Sequence, residues 1–140
     1  MMQIVNVVAA AIINANNCIL VAQRAPGTSL AGLWEFPGGK IEPGETPEVA
    51  LARELSEELA ITLLPEKLVP LGFVSYAYPA FHLVMLLYVC RDWMGTPQGQ
   101  QGQPLRWETI AALGDLPMPP ADIPLIAALR RYILAGESPT

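Results

Sequence analysis

Two apolar runs, near Val7–Ile13 and Leu83–Cys90, constrain this chain more than any other feature. Both are well short of the ~20 residues that cross a membrane as a helix. The first is β-branched and alternates poorly, which predicts a buried strand over Val5–Ile13. The second belongs to a nearly all-apolar stretch, Phe81–Arg91, and such a stretch suits a central strand covered on both faces. Helical patterns recur at two separated places, from Thr46 to about Ala60 and over Ile123–Leu134, and supply the cover. The expected class is α/β: a mixed β-sheet sandwiched between helices in an α/β/α arrangement, as a single domain over residues 1–140.

The remaining elements follow from local chemistry. Asn14–Asn17 predicts a turn, and Cys18–Gln23 returns from it as the second strand of a hairpin. Leu33–Phe36 is short and apolar and ends at Pro37-Gly38-Gly39; Lys40–Glu42 reads as another short strand. Leu68–Tyr78 precedes Pro79-Ala80 and predicts the strand before the apolar one. Gly95–Pro104 is a polar loop, Leu105–Glu108 a short strand, Thr109–Leu113 a helical turn and Leu116–Pro124 a stiff proline-rich segment. In the closing helix Leu125, Ile126, Leu129 and Ile133 share one face, and the last few residues form a tail.

Charge narrows the function. The net charge is −5 with no basic patch, which argues against binding long nucleic acid. A phosphate ester bound here would need metal ions to supply positive charge. Cys18 and Cys90 lie in apolar stretches with no CxxC spacing, as reduced core thiols of a cytoplasmic protein rather than zinc ligands. No basic leader precedes the first apolar run, so no secretory signal and no membrane partner are expected. The single histidine, His82, sits in a strand-like run and reads as structural.

Against this low charge density, Gly38–Ile61 crowds Glu42, Glu45, Glu48, Glu54, Glu57 and Glu58 around one Arg53. Thr46 is a good N-cap, Pro47 suits the first helical position, and Glu48 suits the positive helix end. Val49, Ala52, Leu55 and Leu59 recur at helical spacing and predict the buried face. Glu54, Glu57 and Glu58 then fall within an arc of roughly 100°. Like charges four residues apart repel, so the helix accepts a local cost. A solvated acidic face is one account. The paired Gly38-Gly39, which allow close backbone approach, favour another: an all-oxygen site for Mg²⁺ or Mn²⁺.

Gly39, Glu45, Arg53, Glu54, Leu55, Glu57, Glu58 and Ile61 resemble the Nudix box: glycine, five residues, Glu, seven residues, then Arg-Glu-apolar-x-Glu-Glu-x-Gly-apolar. Ala60 stands where the pattern has its last glycine. The resemblance extends over nearly the whole chain. "ILVAQRAPGTSLAGLWEFPGGKIEPGE", "WMGTPQGQQGQPLRW" and "MPPADIPLIAAL" are similar to the MutT-like branch. That branch includes 8-oxo-dGTP diphosphatases and CTP or modified-dCTP pyrophosphohydrolases, which release a nucleoside monophosphate and pyrophosphate.

The resemblance implies that Glu54, Glu57 and Glu58, with the Gly38 carbonyl, hold divalent ions, Mg²⁺ or Mn²⁺. It implies that Glu45 and Arg53 orient the loop and the catalytic glutamates, with Glu54 as general base. Arg24 would contact the substrate phosphate or sugar, Phe36 would line the base pocket, and Asp122 would read the base. Asp122 is equally placed to N-cap the last helix. Gln101 stands where such enzymes carry a further glutamate, and Phe81 where some carry a basic residue. The expected activity is Mg²⁺-dependent hydrolysis of a nucleoside triphosphate, 8-oxo-dGTP ahead of CTP or 5-methyl-dCTP, by a monomer or homodimer that keeps the nucleotide pool clean for DNA. A binding module of the same fold that senses a nucleotide without cleaving it is the alternative of another class.

Overall fold

The computed structural model describes residues 2–135. In chain order the elements are β1 (Ile4–Ile12), β2 (Ile19–Gln23), β3 (Trp34–Glu35), β4 (Gly38–Lys40), α1 (Pro47–Leu59), a 3₁₀ turn (Pro65–Lys67), β5 (Val69–Ala77), β6 (His82–Cys90), β7 (Leu105–Glu108), α2 (Ile110–Leu113) and α3 (Ile123–Leu134). They form a four-stranded sheet ordered β4-β1-β6-β5 and a three-stranded sheet ordered β3-β2-β7.

The two apolar runs are the two central strands. β1 and β6 run parallel, with Val8 opposite Leu86 and Ile12 opposite Cys90. Both β1 faces are covered, which explains its poor alternation. Val8, Ala10 and Ile12 pack beneath α1 with Leu51, Leu55 and Leu59. Ala9, Ala11 and Ile13 pack on the other side with Leu113, Leu125 and Leu129. The α/β class and the mixed sheet between helices are as expected. No helix among the described residues is long and apolar enough to cross a membrane.

Several local expectations need correction. The Asn14–Asn17 turn forms, with Asn14 Oδ1 accepting from the Asn16 and Cys18 N–H groups at 2.9 Å. Yet β2 makes no hairpin ladder with β1; only an isolated bridge joins Ile13 to Ile19. β2 instead pairs with β3 and β7 and starts the second sheet. An Asn-rich turn reports a reversal, not which sheet the returning strand joins. The expected strand at Lys40–Glu42 lies earlier, as β4, with Gly38 and Gly39 opposite Ala9 and Val8 in the ladder. A Cβ at Gly38 would overlap the Val8 carbonyl oxygen, so the pairing itself requires glycine. On α1 the buried face is Ala50, Leu51, Leu55 and Leu59, whereas Val49 is exposed. Small Ala50 takes the place against the sheet and turns Val49 outward. Cys90 is buried but Cys18 only half so, and both are free thiols.

The ends of α1 carry two sequence signals. Thr46 caps the start, its hydroxyl accepting from Val49 N–H at 3.2 Å. Ala60 ends the helix at φ 59° and ψ 33°, the left-handed conformation that glycine adopts without strain. Ala60→Gly should therefore raise stability by about 0.5–1 kcal/mol, the steric relief exceeding the entropy of a freer unfolded chain. Urea unfolding would show it as a higher midpoint at unchanged slope. A lower midpoint would mean that the alanine is not strained.

Candidate active site

The carboxylate helix projects its acids beside the glycine strand. Glu54 is mostly buried, and its carboxylate fills the space that a Cβ on Gly39 would need. Arg53 gathers the surrounding acids. Its Nε donates to Glu45 at 2.6 Å and its Nη2 donates to Glu45 at 2.9 Å, a bidentate pair. Its Nη1 lies 3.2 Å from Glu54 and 3.4 Å from Glu57, and its Nη2 also donates to the Lys40 carbonyl at 3.2 Å. Glu45 in turn accepts from Glu42 N–H at 3.0 Å, which closes the "EPGET" turn. Arg53 holds the Glu45 carboxyl down at about 2. That contribution to folding is present above the ordinary value of 4.5 and is lost as pH falls toward about 2.

Glu58 behaves oppositely. Burial, and then the neighbouring Glu54 charge, push its carboxyl up to about 8. Glu57 is the outermost of the three, its side chain 63% exposed. The donor set is all oxygen, and two of its acids are forced together with too little compensating positive charge. A hard divalent cation suits that chemistry. Among the described residues no cluster of three or more His, Cys, Asp or Glu side chains is already gathered about one point, and Arg53 neutralises part of the set instead.

Glu58 also lines an open cleft of about 180 Å³ between the helix, the second sheet and the polar loop. Arg24, Glu35, Pro37, Gln101 and Gln103 form its other walls. Arg24 follows β2 and is fixed by two bonds: Nε to the Ser29 carbonyl at 2.7 Å and Nη1 to Glu35 at 2.9 Å. Burial raises the Glu35 carboxyl, and Arg24 offsets part of that shift. The polar loop is docked on the C-terminal end of α1. Gln98 N–H donates to the Leu59 carbonyl at 3.0 Å, and Gln100 N–H donates to the Glu58 carbonyl at 3.0 Å. Gln103 Nε2 reaches the same Glu58 carbonyl at 3.3 Å. These bonds satisfy carbonyls that every helix end leaves open, and they hold Gln101 beside Glu58.

Asp122 does not line the cleft, but its charge neighbours Glu35 and Arg24 do. It is 5% exposed, the only buried charged residue among those described. Burial, and then Glu35, push its carboxyl up to about 7. Its side chain makes no cap to α3. Instead Oδ2 lies 3.4 Å from Phe36 N–H, a long hydrogen bond. The Phe36 ring is packed in the core, 3% exposed. What Phe36 turns toward Asp122 is its backbone donor.

The fold thus brings Glu45, Arg53, Glu54, Glu57 and Glu58 into one linked group beside Gly38 and Gly39. Arg24 and Gln101 join Glu58 around the cleft. Asp122 and Phe36 meet across 86 residues of chain. Phe81 is set apart on the β5–β6 turn, its ring packed at a tilt against Tyr78 with centroids 5.3 Å apart. His82 pairs with Ser75 at 2.6 Å, away from the acids. Sequence reasoning missed Glu35 and Gln103. A charged residue inside the apolar "LWEF" was the available signal for Glu35; nothing marked Gln103 among its neighbouring glutamines.

The profile of the NUDIX domain family matches residues 8–128, and the chain belongs to that family. It is a Nudix hydrolase, and such enzymes generally need a divalent metal ion. Among curated proteins it is 42% identical over 118 residues to an 8-oxo-dGTP diphosphatase of Escherichia coli (strain K12), covering 84% of this chain and 90% of that one. It is 41% identical over 123 residues to a CTP pyrophosphohydrolase of the same organism, covering 86% of this chain and 88% of that one. The solution structure of the E. coli ORF135 protein superposes with a TM-score of 0.83 at 35% identity, covering 99% of this chain and 96% of that one.

Proposed function

We propose that this chain hydrolyses 8-oxo-dGTP, with Mg²⁺, to the nucleoside monophosphate and pyrophosphate. The observation that carries the reading is the half-buried Glu54–Glu58 pair on α1, whose Glu58 lines a cleft that Arg24 also lines. Glu54, Glu57, Glu58 and the Gly38 carbonyl would hold the ions. When bound, Mg²⁺ polarises a phosphoryl oxygen and acidifies water. Glu54 takes the proton from the attacking water as its oxygen bonds to phosphorus and the anhydride bond to the leaving group breaks. Arg53 keeps Glu54 and Glu57 in place, and Glu45 keeps Arg53 in place. Arg24 meets the phosphates or the sugar, its direction set by Glu35. Gln101 supplies a neutral carbonyl beside Glu58, so the charge at that position comes from the helix alone.

Asp122 and the Phe36 N–H would read the base edge. A protonated carboxyl can donate and accept, as an amide does. It can accept from the 8-oxo-guanine N7–H and donate to O6. An ionised carboxylate only accepts, which suits the cytosine amino group. With its carboxyl near 7, Asp122 is poised between these states. This is also why a CTP-type substrate stands as the second reading, alongside the 41% identity to a CTP pyrophosphohydrolase.

The discriminating experiment is kcat/KM for 8-oxo-dGTP, dGTP, CTP, dCTP and 5-methyl-dCTP at several pH values. The expected result is a preference for 8-oxo-dGTP over dGTP. Its ratio to CTP should fall as pH rises through about 7, and Asp122→Asn should flatten that fall. A preference for cytosine nucleotides would move the assignment to the second reading. Asp122→Ala with unchanged selectivity would remove Asp122 from base recognition.

Stability carries the same signature. The folded-state carboxyl lies above its ordinary value of 3.8, so the folded chain holds an extra proton between 3.8 and about 7. The associated stability is fully present below 3.8 and is lost as pH rises through about 7. Asp122→Asn should shrink this alkaline loss in thermal unfolding; an identical slope would place the titration elsewhere.

A further inference from the structure

The turn that carries Asp122 is held from across the molecule. Tyr78 Oη accepts from the Ala121 N–H at 3.2 Å, although the two residues are 43 apart in sequence. Tyr78 follows β5, and its own N–H donates to the Phe81 carbonyl at 2.9 Å, which closes the Pro79-Ala80 turn. Alternation puts Tyr76 and Tyr78 on one face, and cross-strand pairing puts Phe81 beside them. The ring centroids are 4.7 Å apart for Tyr76–Tyr78 and 5.3 Å apart for Tyr78–Phe81. Tyr78 is therefore gripped on both sides, and its hydroxyl has little freedom.

Ala121 needs that hydroxyl. It is fully buried, and its N–H has no backbone acceptor among the described residues. The Asp122 backbone is tied locally, its N–H donating to the Pro119 carbonyl at 2.9 Å and its carbonyl accepting from Leu125 N–H at 3.1 Å. Among the described residues its side chain has only the 3.4 Å contact to Phe36 N–H and no cap. Its carboxyl position thus depends on the turn backbone, and within that turn the buried Ala121 N–H is tied to the rest of the molecule through Tyr78.

We propose that Tyr78 is a positioning residue for base recognition: its phenol oxygen fixes the Ala121–Asp122 turn, and its packing against the tilted Tyr76 and Phe81 rings fixes the phenol. The inference rests on Asp122 reading the base, as argued above. The hydroxyl acts through Asp122 and touches neither the acids of α1 nor the reacting phosphorus. Removing it loosens base selection and leaves the chemical step intact.

The test is Tyr78→Phe, which keeps the ring and deletes the acceptor, assayed on 8-oxo-dGTP, dGTP and CTP. The expected result is a rise in KM for the preferred nucleotide of about fivefold, a narrowed selectivity, and kcat within about twofold of wild type. In an Asp122→Ala background the same change should have no further effect on selectivity. Wild-type KM and selectivity in Tyr78→Phe, with Asp122→Ala impaired, would overturn this inference alone. Unchanged selectivity in Asp122→Ala would overturn the Asp122 reading and this inference together. An equal loss from Tyr78→Phe in both backgrounds would also overturn it. If Tyr78→Phe does not fold, Tyr76→Leu removes one of the two rings packed on Tyr78 and keeps the hydroxyl. It must then shift KM in the same direction at unchanged kcat, and an unshifted KM overturns the proposal.

Discussion

Glu54→Gln should lower kcat by about 10²- to 10⁴-fold, the range for loss of a general base, while the protein stays folded. The substitution keeps the shape that fills the space over Gly39 and removes only the charge. That charge is the second cause, after burial, of the raised Glu58 carboxyl. Without it Glu58 ionises at lower pH, and the repulsion stored in the helix falls. The lost ion pair to Arg53 is small by comparison, because Arg53 keeps its bidentate bond to Glu45. Thermal unfolding at pH 8 should therefore show no loss of stability, while pyrophosphate release nearly vanishes. Glu57→Gln should also lose turnover with the fold intact, since Glu57 is exposed and, among the described residues, its side chain pairs with Arg53 alone. Normal turnover in either variant would refute the metal-site assignment.

The two neighbouring glycines should separate folding from catalysis. At Gly38 an added Cβ meets the Val8 carbonyl oxygen and the Ala9 Cα, both backbone atoms of the central strand β1. Backbone in a covered sheet cannot step aside, so Gly38→Ala should cost roughly 1–3 kcal/mol or more through strain. At Gly39 the atoms nearest the added Cβ are those of the Glu54 carboxylate, the far end of a flexible side chain. Gly39→Ala should remain folded with Glu54 displaced, and a misplacement of about 1 Å in such a site can cost about 10²-fold in rate. Denaturant unfolding and turnover, measured on both variants, check the contrast. A stable Gly38→Ala would contradict the ladder between β4 and β1. A fully active Gly39→Ala would contradict the placement of Glu54 against the glycine.

Much of this was legible in the sequence because the signals were local or periodic. The central pair β1 and β6 followed from apolar runs alone, and α1 from its Thr46 cap and its spacing. Glu54, Glu57 and Glu58 share one helix, so helical periodicity places those three on one side of it. Ala60 was marked by its place at the helix end, and it adopts the left-handed conformation that the pattern reserves for glycine. What escaped depends on contacts between distant segments. The choice of β2 to begin a second sheet is made by its partners β3 and β7, not by the asparagine turn before it. The rotation of α1 that exposes Val49 depends on how closely Ala50 meets the sheet. Asp122 carried two local readings, cap and recognition, and its contact with Phe36 across 86 residues gave no sign in either segment. The hydroxyl of Tyr78, one aromatic among several, had no local mark at all.

The central claim is metal-dependent cleavage of a nucleoside triphosphate by the α1 acids. The most direct measurement is the product balance from 8-oxo-dGTP, with Mg²⁺ and then with the Mg²⁺ chelated. The account predicts equal amounts of the monophosphate and pyrophosphate with Mg²⁺, and almost no turnover without it. Release of orthophosphate and the diphosphate, or the same rate in the absence of Mg²⁺, would contradict it.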